Sequence, residues 1–129
     1  MQIHQSAEDY LETILMLTQR MGRVRSIDVV NELGYTKASV SIAMKKLREN
    51  GYIAVDGEGN LTLLAPGREI AERIYSRHRL LTHFFVQLGV DEEVAAEDAC
   101  KAEHILSEQT LEKIRESALR NDAAHPQAK

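Results

Sequence analysis

Three residues late in the chain, Cys100, Glu103 and His104, are of the types that ligate transition metals. At spacings i, i+3 and i+4 they project from one face of a helix, which puts a thiolate, a carboxylate and an imidazole within reach of one cation. That mixture suits an intermediate first-row divalent metal. It does not match the all-oxygen shell of calcium, and one cysteine cannot build an all-thiolate zinc site. Asp9 and Glu12 stand three residues apart near the amino terminus, and His78 follows Arg77 in mid-chain, offering further oxygen and nitrogen donors. Spacing does not bring these onto the first three. An acid in a first helical turn commonly faces the helix dipole, a mid-helix histidine is commonly a hydrogen-bonded residue, and a lone cysteine is commonly an inert buried thiol.

The elements that must position these groups follow from pattern. At 129 residues, with 43% hydrophobic and 28% charged positions, the chain is the size of one domain or two small ones sharing a core. Few glycines and prolines and long runs of Leu, Ile, Ala, Glu, Lys and Arg predict a mainly α protein. Ser6, Glu8 and Asp9 mark the start of a helix over about Ala7 to Gln19, with Leu11, Ile14, Leu15 and Leu17 at helical spacing. Gly22 breaks it. Ser26 is placed to cap a short second helix whose Ile27, Val30 and Leu33 face inward until Gly34. Thr36 caps a third, Lys37 to Asn50, with Val40, Met44 and Leu47 as its buried stripe, and Gly51 stops it. Tyr52, Ile53 and Val55, then Asp56 to Asn60, then Leu61 to Leu63 read as a hairpin.

That order predicts an N-terminal winged helix-turn-helix with a small β-hairpin wing, its third helix shaped for the major groove. Pro66 and Gly67 open a long amphipathic helix running to Gly89, and two more follow, about Glu92 to Leu106 and Glu108 to Leu119, apolar enough for a bundle or a two-fold dimer interface. The expected domains are 1–65 for DNA binding, 66–120 as an α-helical metal-binding and dimerisation domain and 121–129 as a flexible tail.

Charge distribution supports the nucleic-acid reading although the net charge is -4. From Thr36 to Arg48 the chain carries Lys37, Lys45, Lys46 and Arg48 with no acid, while acids gather at Asp91, Glu92, Glu93, Glu97 and Asp98. The DNA-contact candidates are Arg25, Ser26, Thr36, Lys37, Ser39 and Ser41, with Lys45, Lys46 and Asn60 facing the backbone. The plain alternative for Lys45 and Lys46 is a solvated helix face. No run approaches the roughly 20 apolar residues of a membrane span, and no export signal precedes the single cysteine, so a cytoplasmic protein is expected. Carboxylates and histidines around cations also describe hydrolases, but no further nucleophile motif or phosphate loop accompanies them, and an enzyme is not expected.

The chain resembles the diphtheria-toxin-repressor and manganese-transport-regulator family in Ser6-Ala-Glu-Asp-Tyr-Leu-Glu12, in Arg77-His78-Arg-Leu-Leu, in Leu88-Gly-Val-Asp-Glu-Glu93 and in Asp98-Ala-Cys-Lys-Ala-Glu-His104. The resemblance spans about residues 6 to 119. It implies a metal-activated repressor that binds palindromic operator DNA as a homodimer and controls metal-ion homeostasis genes. It also implies Mn2+ or Fe2+, with up to two ions per subunit, between the two domains on Asp9, Glu12, His78, Cys100, Glu103 and His104. Asp9 and Glu12 follow the family's manganese branch, whereas Cys100 follows its iron branch. Thr82 and Ala96 stand where an ancillary iron-branch site would need an acid and a histidine, and the length matches the short two-domain type. The rival reading is a winged-helix regulator that senses oxidants through Cys100, or a small molecule, without metal.

Overall fold

The computed structural model describes residues 5–124 and divides into two compact units, residues 1–73 and 74–129. The first unit holds α1 (Gln5–Met21), α2 (Ser26–Leu33), α3 (Lys37–Glu49), β1 (Ile53–Val55), β2 (Leu61–Leu63) and the start of α4 (Ala65–Gln87). The second holds the remainder of α4, α5 (Glu92–Ala102) and α6 (Glu108–Ala124). The unit boundary thus falls inside α4.

In the first unit α1 packs against α2, α3 and β2, placing Leu11, Ile14 and Leu17 in a core with Val24, Val29, Val40, Leu47 and Ile53. Tyr10 meets Tyr35 edge-on at 5.9 Å, and burial, with Tyr35 and Asp9 nearby, pushes its phenol above the ordinary value. α3 starts where the sequence places it: the Thr36 hydroxyl accepts from the Ser39 N–H at 3.1 Å. It stops at Gly51, whose φ of 82° lets Tyr52 N–H reach the Leu47 carbonyl and its own N–H reach that of Arg48, the paired bonds of a Schellman ending. β1 and β2 pair antiparallel with Ile53 opposite Leu63 and Val55 opposite Leu61, turning their buried members into the core. Gly67 lies where a Cβ would collide with the Tyr52 carbonyl, so the hairpin and the start of α4 meet at a position only glycine fits.

The start of α2 differs from expectation. Ser26 is its first helical residue rather than its cap; Arg25 precedes the helix, and the Asp28 carboxylate accepts the Arg25 N–H at 2.9 Å. Val29 is the buried member of α2, with Val30 and Leu33 half-buried beside it, while Ile27, about 200° round the helix from Val29, is 43% exposed.

In the second unit Leu81, Ala99 and Leu111 bring α4, α5 and α6 together, with Leu80, Phe85, Ala102, Leu106 and Ile114 around them. α6 is longer than its apolar pattern indicates. It runs on to Ala124, where Asp122 accepts from Gln87 Nε2 at 2.8 Å and lies 3.1 Å from His83 Nε2 on α4. α5 is shorter, ending at Ala102 instead of Leu106, with a turn carrying Glu103 and His104 before Ser107 starts the next helix by accepting the Thr110 N–H. Residues 125–129 of the expected tail lie outside the described residues. No helix among the described residues is long and apolar enough to cross a membrane.

Candidate metal centre and nucleic-acid face

Glu103 is the C-cap of α5, in right-handed helical conformation, and its N–H still bonds the Ala99 carbonyl at 2.9 Å. The helical spacing from Cys100 therefore holds as far as Glu103, and the backbone departs from the helix at His104. The Glu103 side chain is 0% exposed. One oxygen, Oε2, lies 3.1 Å from His78 Nδ1 on α4, and the other, Oε1, lies 3.4 Å from His104 Nε2 yet accepts no hydrogen bond. A buried carboxylate oxygen left without a donor is costly. Two imidazoles and a carboxylate at these distances, with Cys100 one turn before Glu103, are donor types that could hold a transition-metal cation.

Arg77 holds this arrangement in place. Its guanidinium donates to the Glu103 carbonyl at 3.0 Å and to the Glu108 carboxylate at 3.1 Å, tying α4 to both ends of the turn between α5 and α6. Such supports fix the orientation of ligands. The sequence reading passed over Arg77, because a basic residue beside a histidine gives no sign that its partner will be a backbone carbonyl.

Of the sequence-selected ligands, the second unit thus brings together His78, Glu103 and His104, and Cys100, although exposed on the last turn of α5, has its Sγ within 4.8 Å of a Glu103 carboxylate oxygen. Asp9 and Glu12 belong to α1 in the first unit, Asp9 half-buried and Glu12 5% exposed.

The nucleic-acid candidates are all in the first unit. Lys37, Ser39, Ser41, Lys45 and Lys46 are exposed on α3, which has no acid before its last residue, Glu49. Thr36 and Ser39 hydroxyls bond each other at 2.9 Å as part of the cap. Ser26, Ser41, Met44, Lys45, Arg48 and Val55 line an open depression of about 260 Å³ between the start of α2, α3 and the hairpin. Arg48 is a member of this set absent from the sequence-based candidates; its register with Lys45 and Ser41, one and two turns away, is the signal that points to it. Arg25 pairs with Asn60 in an isolated antiparallel bridge, fixing the hairpin tip beside the start of α2. The Asn60 amide is occupied within the turn, donating to Asp56 Oδ2 at 3.0 Å, and with the Asn60 backbone N–H it holds the Asp56 carboxyl below its ordinary value of 3.8.

Two family models match the chain: the iron dependent repressor N-terminal DNA binding domain over residues 2–61, and the iron dependent repressor metal binding and dimerisation domain over residues 65–126. An HTH-type transcriptional regulator of Methanocaldococcus jannaschii is 35% identical over 113 residues, 86% of this chain and 90% of that one. The regulator MntR of Bacillus subtilis is 35% identical over 109 residues, 84% of this chain and 77% of that one. The chain belongs to the iron-dependent repressor family. A solved member of similar structure, a manganese-dependent transcriptional repressor in complex with manganese, is 28% identical with a TM-score of 0.79 over 87% of this chain and 52% of that one. The IdeR of T. acidophilum, at 23% identity and a TM-score of 0.79 over 91% and 55%, shares the fold. The chain therefore spans about half the length of these solved relatives. As a family member it is a metal-dependent transcriptional repressor with a DNA-binding and a dimerisation domain, in a family of regulators rather than enzymes.

Proposed function

We propose that Mn2+ or Fe2+, held by Asp9, Glu12, His78, Cys100, Glu103 and His104, switches a homodimer of this chain onto palindromic operator DNA and so controls metal-ion homeostasis genes. The observation that carries this reading is the fully buried Glu103 between two histidines, with one carboxylate oxygen lacking a donor. A divalent cation supplies the positive charge that this donor set lacks. Asp9 and Glu12 add carboxylates in the pattern of the manganese branch, and the manganese complex of a related repressor supports Mn2+. The Cys100 thiolate is a softer ligand and favours Fe2+.

The residues divide the work. Arg77 keeps Glu103 and the turn after α5 in register, so the ligands are set before metal arrives. Without metal, Asp9, Glu12 and Glu103 repel one another if they approach, which disfavours the arrangement that operator binding requires. On the DNA side, the N-terminal turn of α3, with Thr36, Lys37, Ser39 and Ser41, contacts bases and phosphates. Ser26, Lys45 and Arg48 around their depression, with Arg25 and the wing near Asn60, seat the backbone. Two such helices in a dimer read half-sites about 34 Å apart, or a multiple of it.

The test is an operator-binding titration of chelator-treated protein with Mn2+, anaerobic Fe2+, Zn2+ or no metal. Binding gated by metal, and lost in Glu103→Ala and His104→Ala, is the expected result. Equal affinity with and without every metal would overturn it and move the switch to the exposed Cys100, read as an oxidant sensor.

A further inference from the structure

At about 100° per residue, Ala38, Ile42, Lys45 and Glu49 lie on the line of α3 opposite its buried stripe. Ile42 is 59% exposed, whereas Val40, Met44 and Leu47 are at most 4% exposed. A β-branched isoleucine at this position is a poorer helix former than lysine or glutamate and buries little in the free protein. The surface around it carries Lys37, Lys45, Lys46 and Arg48, complementary to a polyanion, and the segment belongs to a DNA-binding domain. Ser41, Lys45 and Arg48 line the depression shared with Ser26 and Val55, which leaves Ile42 as the large outward side chain in the middle of the helix.

The major groove presents hydrogen-bonding atoms along every base-pair edge and one aliphatic group, the C5 methyl of thymine. We propose that Ile42 reads a thymine in each operator half-site by burying that methyl against its side chain, making it a specificity-determining residue. The inference rests on the operator reading above and adds the base that α3 selects. Burying one methyl changes affinity about fourfold, so a dimer with both half-sites occupied loses about fifteenfold when both methyls are removed.

The experiment uses Mn2+-loaded full chain and a duplex operator selected from random-sequence DNA. Each thymine is replaced singly by uracil, which removes only the methyl. Wild type, Ile42→Val and Ile42→Ala are compared, and thermal unfolding checks that the exposed substitutions leave the fold intact. The expected result is one thymine per half-site at which uracil weakens wild type about fourfold. Ile42→Ala then binds the unmodified operator weakly and takes no further penalty from that uracil, while Ile42→Val keeps part of the effect. An operator that is selected cleanly but shows a flat uracil profile, or an Ile42→Ala protein with the wild-type profile, overturns the assignment of Ile42 alone. A wild-type protein that selects no sequence overturns the operator reading and this inference with it.

Discussion

In the first unit α3 keeps every lysine, arginine and serine exposed and buries Val40, Met44 and Leu47, whereas in the second unit the turn after α5 sets Glu103 at 0% exposure beside His78 and His104. Both arrangements come from short helices, yet they spend burial on different things. The interior side of α3 is apolar, so its shape is fixed by packing and its charges are left for a polyanion. The turn after α5 encloses a carboxylate whose cost is met only in part by two imidazoles. The first region is built to keep one shape, and the second, on the function proposed above, to respond to an ion.

Substitutions sharpen that contrast. Leu47→Ala should have the largest effect on stability: removing a fully buried side chain costs about 2–5 kcal/mol, seen as a lower thermal midpoint with or without metal. If metal restored the midpoint completely, the α3 core would not be the independent framework described. Glu103→Gln should do the opposite. It should leave the chelated protein as stable as wild type or more so, because a buried ionic group is removed, while weakening Mn2+ binding by on the order of a hundredfold or more. Thermal unfolding of the chelated protein reads the first effect and a calorimetric titration with Mn2+ the second, and an unchanged metal affinity would remove Glu103 from the site.

The smallest effect lies in the wing. Because the Asn60 N–H groups depress the Asp56 carboxyl in the folded hairpin, the stability this contributes is present above 3.8, the ordinary value, and is lost as pH falls through the lower folded value. Amide spectra of Glu58 and Asn60 should broaden or shift over that acid range, and Asp56→Ala should abolish the transition without touching α3. A wing that loosens at the same acid pH in Asp56→Ala would place the cause elsewhere.

Much of this was legible in the sequence because it depends on local chemistry. The Thr36 cap, the Gly51 stop and the Val40, Met44, Leu47 stripe are decided by neighbours within a turn or two, and each stands as expected. The spacing of Cys100, Glu103 and His104 marked a set of metal-ligating side chain types, but not that the helix ends at Ala102 or that His78 meets Glu103, since those depend on how α4 lies against α5 and α6. Arg77 was invisible for the same reason: its partner is a carbonyl 26 residues away. Ile27 was misplaced because the face that α2 turns inward, centred on Val29, is decided by its packing against α1 and α3 and not by its own apolar spacing.

The central claim, that metal and operator bind to one coupled switch, is tested most directly by measuring Mn2+ affinity with and without saturating operator duplex. Linkage requires DNA to tighten Mn2+ binding by the same factor by which Mn2+ tightens DNA binding. A matching factor well above one in both directions is the expected result. An Mn2+ affinity that operator DNA leaves unchanged would contradict it.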